Sequence, residues 1–155
     1  MNNGGWAETP LGWTRIGIEN GLIKSIDFVE RKPLSLSQEI LPGVLLRANE
    51  SFRRNLPIVP LLSLSGTMKK QLIWKKLSAI PRGNTVTYGE VACKSDPGSH
   101  PRGIACICAQ NIIGGLIPCH RVVGKSNIGG YRWGINLKKE LLEWEKRGRG
   151  GWTIH

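Results

Sequence analysis

The sequence lacks any long hydrophobic run, which argues against a membrane-spanning protein. No stretch approaches the roughly 18–20 consecutive apolar residues that a membrane-spanning helix needs. The first ten residues, MNNGGWAETP, also lack the charged start and apolar stretch of a secretory signal. We therefore expect an intracellular protein, cytoplasmic and either nucleoid-associated or nuclear depending on the organism, whose four cysteines are thiols.

Metal-ligand spacings are missing as well. The chain has neither C-x-x-C nor H-x-x-x-H, which are spacings that metal sites use. Cys106 and Cys108 are two residues apart on a predicted helix and point to different sides. With Cys93 they are interpreted as small core residues, so we expect no bound metal. No fixed-period repeat occurs, and 155 residues suffice for one domain or two small ones.

Acidic residues are scarce, and the resulting positive charge is concentrated in one half. The chain has 22 Lys and Arg against 11 Asp and Glu. Residues 1–60 carry a net charge of +1, whereas residues 61–155 carry +10. This asymmetry is typical of a protein that binds a polyanion through its C-terminal half. Charge alone leaves an ordinary solvated basic surface equally open.

The first half of the chain predicts a small sheet. Residues 9–29 have the pattern of a β-hairpin, with Asn20-Gly21 as the turn dipeptide. Residues 31–60 are predicted to hold one or two short helices. The segment 56–66, LPIVPLLSLSG, is interpreted as a linker into the second half. We place an N-terminal structural domain at residues 1–60.

The second half, residues 61–155, predicts a helical domain with a short strand before its second helix. Four helices are expected from cap residues and apolar periodicity. They begin at Ser65 or Thr67, at about Tyr88, at Ser99 or His100, and at Asn136. Gly148 is expected to end the last one. The middle two, joined by a turn of breaker residues, fit either a helix-turn-helix or an ordinary corner of two helices.

Two features of this half carry potential chemistry. Cys119 and His120 are adjacent in GLIPCHRVVG, and neighbours in an extended chain point to opposite faces. They cooperate only where the backbone turns or a water bridges them. Cys119 is open to two interpretations, a buried core thiol or a nucleophile assisted by a helix end, His120 or Arg121.

Glu145 is the second feature. It shares the apolar face of the last helix with Leu137 and Leu141, and a carboxylate there needs a partner or water. Its head group either reaches solvent at the edge of that face or meets a buried histidine, whose tautomer a carboxylate fixes.

Taken together, these segments resemble the O6-alkylguanine-DNA alkyltransferases, repair proteins that take an alkyl group from DNA onto one of their cysteines. IPCHRVV resembles the active-site signature of that family. IPRGNTVTYGEVA resembles the family's strand-to-helix entry, and PRGIACICAQN resembles its recognition helix. GGYRWGINLKKELLEWE resembles the substrate loop and the closing helix that follows it. The match covers about residues 67–147 and departs at Ile112, where the family pattern has proline.

The resemblance implies a hydrogen-bonded chain from Glu145 to His120 and, through a water, to Cys119. His120 would act as general base, and the Cys119 thiolate would attack the alkyl carbon. Tyr88 would relieve charge on the departing guanine at N3. Asn111 would brace the turn that presents the cysteine.

The resemblance also implies residues that hold the base and the DNA. Those around the base are Tyr131, Arg132, Val122 and Trp133. Trp133 is bulkier than the family pattern, and we expect it either to narrow the pocket or to pack outward near Trp144. On the DNA face, Arg102 would fill the gap left by a flipped base, with Gly103 and Tyr88 beside it.

We therefore expect an α/β fold with two parts: a small N-terminal ribonuclease-H-like sheet domain and a mostly helical C-terminal domain that contains a helix-turn-helix. The expected function is single-use transfer of an alkyl group, mainly methyl, from O6 of guanine, with O4 of thymine left open, in double-stranded DNA to Cys119. No cofactor, no membrane and a monomer are expected. Two other classes stay open on the residues alone, a pure DNA-binding module and a thiol hydrolase.

Overall fold

The structure, a computed structural model of the chain, describes residues 2–9, 12–29, 62–95 and 99–147. They form two compact units: the described residues up to Leu64 together with Ile112–Leu116, and the remainder from Ser65 onward. The helices predicted within residues 31–60 lie outside the described part. In the described residues, no helix has both the length and the hydropathy to cross a membrane. Mixed strands and helices confirm the α/β class at this coarse level.

The first unit is built on a three-stranded antiparallel sheet with strand order β1-β2-β3. The strands are β1 (Asn2–Thr9), β2 (Gly12–Glu19) and β3 (Leu22–Val29). Asn20 and Gly21 join β2 to β3 with φ values of 52° and 76°. Two positive φ values are what the tightest hairpin turn requires, so the predicted hairpin is confirmed. The strand β1 was not predicted.

The core of this sheet comes from isoleucines that pair across β2 and β3. Ile16 and Ile18 of β2 are two residues apart and both buried, as expected when every second side chain faces one side. Their partners on β3, Ile26 and Ile23, are also buried although they are three residues apart, because the pairing register shifts between Gly17 and Ile18.

The other edge of β3 is also paired. Leu62 bridges Ile23, and Ser63 N donates to Ile23 O at 2.7 Å. Farther along β3, Ile26 N donates to Ile112 O at 2.8 Å and Gly114 N donates to Ile26 O at 2.9 Å. The described end of the segment predicted as a linker thus belongs to the sheet edge. The linker interpretation was wrong there because backbone pairing at an edge has no signature in side-chain type.

The described part of the second unit contains four helices and a short pair of parallel strands. The helices are α1 (Met68–Leu77), α2 (Tyr88–Lys94), α3 (Pro101–Ala109) and α4 (Ile135–Lys146). The strands are β4 (Val86–Thr87) and β5 (Val122–Val123). The strand pair fixes the start of α2 beside the segment that follows Cys119, which brings two sequence motifs together.

Side-chain caps start three of these helices, and two of the caps, Thr67 and His100, are among the residues that the sequence offered. Thr67 Oγ1 and Thr87 Oγ1 accept first-turn backbone N–H groups of α1 and α2 at 3.2 and 3.0 Å. His100 Nδ1 accepts the N–H of Arg102 at 3.1 Å to begin α3. Each cap satisfies a backbone donor that the helix itself leaves unpaired.

The start of α4 differs from the prediction. Gly134, with φ of 103°, precedes the helix and offers no side-chain cap. Its own N–H donates to Tyr131 O at 3.1 Å, and its carbonyl accepts the N–H of Lys138 at 3.2 Å. Asn136 therefore lies inside the first turn rather than at the cap, because a glycine turn starts the helix two residues earlier. The predicted stop at Gly148 lies outside the described residues.

Candidate active site

A single tight turn presents Cys119, His120 and Arg121. These three residues form one 3₁₀ turn after Pro118, closed by the N–H of Arg121 donating to Pro118 O at 3.0 Å. All three side chains are buried, with His120 fully so. The backbone therefore turns at this pair, so the two adjacent side chains are not forced to opposite faces as they would be in a strand.

Glu145 of α4 is the partner of this turn. Its Oε1 lies 2.6 Å from His120 Nε2. Arg121 donates to the same carboxylate through Nε at 3.0 Å and Nη2 at 2.8 Å. Glu145 is 3% exposed, so its head group is not in solvent. Of the two interpretations open from the sequence, the structure shows the buried histidine partner.

Charge and burial together set the protonation of this pair. Burial would raise the pKa of the Glu145 carboxyl, but the hydrogen bonds and charges of His120 and Arg121 lower that pKa to about 2. Burial lowers the pKa of His120. At neutral pH an ionised carboxylate therefore accepts the Nε2 proton of a neutral imidazole. The other ring nitrogen, Nδ1, is buried, makes no hydrogen bond within the described residues, and carries the lone pair of a base.

Cys119 is a thiol in this environment. Burial raises the pKa of Cys119 well above its ordinary value, and the neighbouring Cys108 raises it further. A hydrogen bond from Asn111 and the charge of Lys138 act in the opposite direction. Because the thiolate is the nucleophilic form, a base near Cys119 is required for chemistry at this sulfur.

Asn111 braces the segment before the turn. It is 1% exposed, and its Nδ2 donates to Ile117 O at 3.1 Å. Ile117 O in turn accepts the N–H of Cys119 at 2.8 Å. Asn111 thus contacts the segment that leads into the turn, and its role in presenting the cysteine stays a prediction.

Lys138 is a buried lysine that sequence reasoning did not assign to the site. Its Nζ donates to Val122 O at 2.6 Å and to Gly130 O at 3.0 Å, and lies 3.4 Å from the Tyr88 hydroxyl. Burial lowers its pKa to about 8.

The sequence signal that could have placed Lys138 at the site was its spacing. Lys138 lies three residues before Leu141 and seven before Glu145, on the same face of the helix.

Arg121 is the other residue that was underestimated, since the sequence offered it only as an aid to the thiolate. Besides Glu145, it reaches Ile80 O through Nη1 at 2.6 Å, which ties the turn to the segment after α1. An arginine inside an otherwise apolar stretch was the available signal, because such a side chain is rarely buried without a carboxylate partner.

Tyr88 opens α2 directly after β4 and lies near the same cluster. Burial raises the pKa of its hydroxyl, so at neutral pH the group is a hydrogen-bond donor. A Cβ atom placed on Gly129 would lie 2.6 Å from this hydroxyl. The loop at Gly129 therefore packs tightly against Tyr88 and has no room for a side chain there.

The loop before α4 carries the predicted base-binding residues. The ring of Tyr131 lies 6.3 Å from that of His120 and 5.3 Å from that of Trp133, both edge-on. Arg132 lies over Trp133 with its Cζ 5.7 Å from the ring centroid. Trp133 thus packs on Tyr131. The carbonyl of Val122, predicted to read the base, accepts a hydrogen bond from Lys138.

Arg102 and Gly103 lie in the first turn of α3, at the opposite end of that helix from Cys108. Both are exposed in the first turn of that helix, and a Cβ on Gly103 would meet nothing within 4 Å. Cys108 lies six residues later and is buried, about 9 Å farther along the helix axis. The structure therefore places these two predicted DNA contacts on a surface and not within the cluster around Cys119.

Within residues 2–9, 12–29, 62–95 and 99–147, no three His, Cys, Asp or Glu side chains are placed to hold a metal ion.

Residues 69–147 match the model of the 6-O-methylguanine DNA methyltransferase DNA-binding domain. A probable methylated-DNA–protein-cysteine methyltransferase of Acanthamoeba polyphaga mimivirus is 33% identical over 144 residues, 90% of this chain and 94% of that protein. A methylated-DNA–protein-cysteine methyltransferase of Candida albicans is 48% identical over 83 residues, 53% of this chain and 46% of that protein.

Solved structures give the same match. The crystal structure of Mycobacterium tuberculosis OGT in complex with DNA superposes with a TM-score of 0.74 at 28% identity, covering 96% of this chain and 94% of that one. An O6-methylguanine-DNA methyltransferase structure from Pyrococcus kodakaraensis, at 23% identity, has a TM-score of 0.70 and covers 94% of this chain and 99% of that one. The second likeness concerns the fold alone.

Proposed function

This chain belongs to the 6-O-methylguanine DNA methyltransferase family, and from this premise we propose that Cys119 is the residue that accepts the alkyl group. The activity is DNA repair, in which a methyl group passes from methylated DNA to a protein cysteine. The observation that carries the assignment of Cys119 is the buried Glu145–His120 hydrogen bond at the same turn.

Removal of the proton from the Cys119 thiol is the first requirement of the reaction. His120 Nδ1 takes this proton through a bridging water, while Glu145 holds the Nε2 proton and stabilises the imidazolium that forms. Arg121 fixes the carboxylate by two hydrogen bonds. The Lys138 charge favours the thiolate. The thiolate then attacks the alkyl carbon in line, and the carbon–oxygen bond breaks.

Stabilisation of the departing guanine is the second requirement, because negative charge develops on this base as the bond breaks. Tyr88, protonated and half-buried, donates to N3 of the base. Tyr131 and Arg132 hold the base in the loop, and Val122 faces its exocyclic amine. The favoured substrate is O6-methylguanine, with O4-methylthymine as the competitor to be measured. The product is a thioether without a good leaving group, so each molecule acts once and needs no cofactor.

DNA binding is assigned to α2 and α3, which we take to be a helix-turn-helix on a monomer. Arg102, exposed at the start of α3, fills the gap that a flipped base leaves. Gly103 allows the helix to approach the backbone closely. We assign residues 1–60 to a structural domain of the ribonuclease-H-like kind, which the three antiparallel strands support, and residues 61–155 to repair.

The direct test is the mass of the full-length protein after incubation with duplex DNA that carries one O6-methylguanine. One added methyl group, located on Cys119 by tandem mass spectrometry, is the expected result. Unmodified protein bound to the duplex would instead indicate a DNA-binding module. Repeated turnover of an acyl ester would indicate a thiol hydrolase.

Arg102→Ala separates base flipping from chemistry. We expect this variant to lose repair of duplex DNA far more than reaction with free O6-benzylguanine, because a free base needs no flipping and unstacking costs a few kcal/mol. The measurement is the second-order rate on both substrates, with Lys125→Ala, another exposed basic residue, as control. Equal losses on both substrates would place Arg102 in folding or chemistry.

Gly129→Ala tests the packing of the loop on Tyr88. The new Cβ would approach the Tyr88 hydroxyl and ring to 2.6 and 2.8 Å at a φ of +74°, so Tyr88 must shift and the backbone is strained. We expect alkyl transfer to slow by about tenfold, which corresponds to about 1.4 kcal/mol. Gly130→Ala is the matched control, since a Cβ there meets nothing within 4 Å.

The role of Tyr88 in that loss is measured by a double variant. If Gly129→Ala acts by moving Tyr88, adding it to Tyr88→Phe lowers the rate no further. Additive losses would mean that the strain acts through another residue of the loop.

A further inference from the structure

A second thiol interacts with the proposed acceptor. Cys108, near the end of α3, is buried like Cys119, and each of the two thiols shifts the pKa of the other. Cys106 and Cys93 are exposed. The sequence predicted Cys108 as a small core residue, and alkyl transfer to Cys119 gives it no task. A nucleophile that interacts with the reacting sulfur therefore has no role in the reaction so far.

Hydrogen bonds of Asn111 link the segments that carry the two cysteines. Asn111 N donates to Cys108 O at 3.1 Å, and Asn111 Nδ2 donates to Ile117 O at 3.1 Å. Ile117 O also accepts the N–H of Cys119 at 2.8 Å. One buried side chain thus joins the end of α3 to the reactive turn, which limits how far the sulfurs can separate.

The identity of the transferred group decides whether Cys108 has anything to attack. A methyl group on Cys119 offers nothing, because a thiolate is a poor leaving group from an unactivated thioether. A 2-haloethyl group on Cys119 still carries a carbon–halogen bond, two carbons from the Cys119 sulfur. Displacement of the halide by a neighbouring thiol requires that thiol to reach this second carbon, and Cys108 is the buried thiol that interacts with Cys119.

We propose, on the basis of the proposed function, that Cys108 is a second nucleophile that closes an internal bridge when Cys119 has accepted a 2-haloethyl group. The Cys108 sulfur bonds to the carbon that carries the halogen, the carbon–halogen bond breaks, and halide leaves. The Cys108 proton passes to solvent. The product is Cys108–S–CH2–CH2–S–Cys119 with one halide and one proton released, and no oxidant or reductant takes part. The substrate class is O6-(2-haloethyl)guanine in DNA.

The surroundings favour displacement by Cys108 over attack by water. The hydrogen bond with Cys119 lowers the pKa of Cys108, burial opposes this, and the Lys138 charge lowers it again. Once Cys119 is alkylated, the Lys138 charge remains as the influence that favours the Cys108 thiolate. A buried thiolate beside the adduct meets the carbon before bulk water does. The bridge thereby removes a reactive haloethyl sulfide from a protein that is still next to DNA.

The experiment follows the fate of the adduct in the full-length protein. One arm uses duplex DNA with O6-(2-chloroethyl)guanine, and a second uses 1,2-dibromoethane, which alkylates thiols without DNA. Intact mass distinguishes an ethylene bridge from a chloroethyl, bromoethyl or hydroxyethyl monoadduct. Trypsin releases Cys106, Cys108 and Cys119 on one peptide, residues 103–121, so tandem mass spectrometry locates the bridge.

The variants are Cys108→Ser, Cys108→Ala and, as the matched control on the same helix, Cys106→Ser. We expect the bridge in wild type and in Cys106→Ser, and its loss in both Cys108 variants, which keep a monoadduct on Cys119. The same monoadduct in wild type as in Cys108→Ser would overturn the proposal. So would a bridge that ends on Cys106 or that persists without Cys108.

Failure of this inference is distinguishable from failure of the proposed function. Methyl transfer from O6-methylguanine DNA to Cys119 without any bridge in either arm overturns the bridge and leaves the function intact. No methyl on Cys119 overturns the function, and the dibromoethane arm then decides the bridge alone. If neither Cys108 variant folds, the position of the bridge in wild type decides.

Discussion

Cys119→Ala is expected to abolish alkyl transfer and to leave binding of lesion-containing duplex intact. The sulfur is the proposed acceptor, so its removal leaves no product to form. It is buried at 3% exposure, so it offers little surface to DNA. The measurements are intact mass after incubation with O6-methylguanine duplex and a binding titration on the same duplex.

The matched control is Cys106→Ala, which removes an exposed thiol from α3 and should transfer the methyl group like the wild type. Methyl groups found on any other residue of Cys119→Ala would contradict the assignment. Loss of DNA binding together with transfer would show that the alanine disturbs the fold of the turn.

Glu145→Gln is expected to have the next largest effect, on both rate and stability. The amide no longer offers a charge to the two Arg121 donors, and it no longer stabilises the His120 imidazolium. Breaking a buried charge pair costs about 3–5 kcal/mol, and losing general-base assistance slows transfer by about 100-fold or more. Rates and urea unfolding at neutral pH measure the two effects.

The exposed Glu143 of the same helix supplies the control. Its ion pair with Arg147, at 3.6 Å, lies at the surface, and surface pairs contribute about 0–1 kcal/mol. Glu143→Gln is therefore expected to keep both rate and stability. Similar losses in the two variants would mean that α4 tolerates no amide and that the Glu145 pair has no special role.

The pH dependence of unfolding gives an independent reading of the same pair. The pKa of Glu145 is lowered from 4.5 to about 2, so the unfolded chain binds more protons than the folded one between these values. The stability that this carboxylate supplies is present above about pH 4.5 and is lost as the pH falls towards 2. Glu145→Gln should lose this part of the acid dependence.

Local signals in the sequence predicted much of the structure. Two residues with positive φ at Asn20-Gly21 specify a hairpin, and Thr67 and His100 are residue types that cap helices. These features depend on a few adjacent residues, so they are readable without the fold. The helix start at Asn136 was wrong because a glycine turn is as effective a start as a side-chain cap and has a weaker signature.

Long-range features were not readable in the same way. Lys138 is buried because the carbonyl groups of Val122 and Gly130 accept hydrogen bonds from it. The sequence of α4, which carries Lys138, does not predict these two partners. The strand β1 pairs through its backbone, which is independent of residue type. The residues alone suggested a buried histidine as a partner for Glu145, but its pairing with His120 came from the family resemblance. Their contact is visible only when α4 packs on the turn of residues 119–121.

The pairing of residues 112–116 with β3 has a consequence for dividing the chain into fragments. These residues lie between Asn111 and the reactive turn in sequence, yet their hydrogen-bond partner is Ile26. A fragment that starts at residue 61 keeps Cys119, the proposed acceptor, but loses the strand that pairs with Ile112 and Gly114. We therefore expect residues 61–155, expressed alone, to lack this pairing. Two pieces divided between β3 and Leu62, when mixed, would be able to form it again by strand complementation. Such a split protein would report reassembly through recovery of an irreversible thioether label.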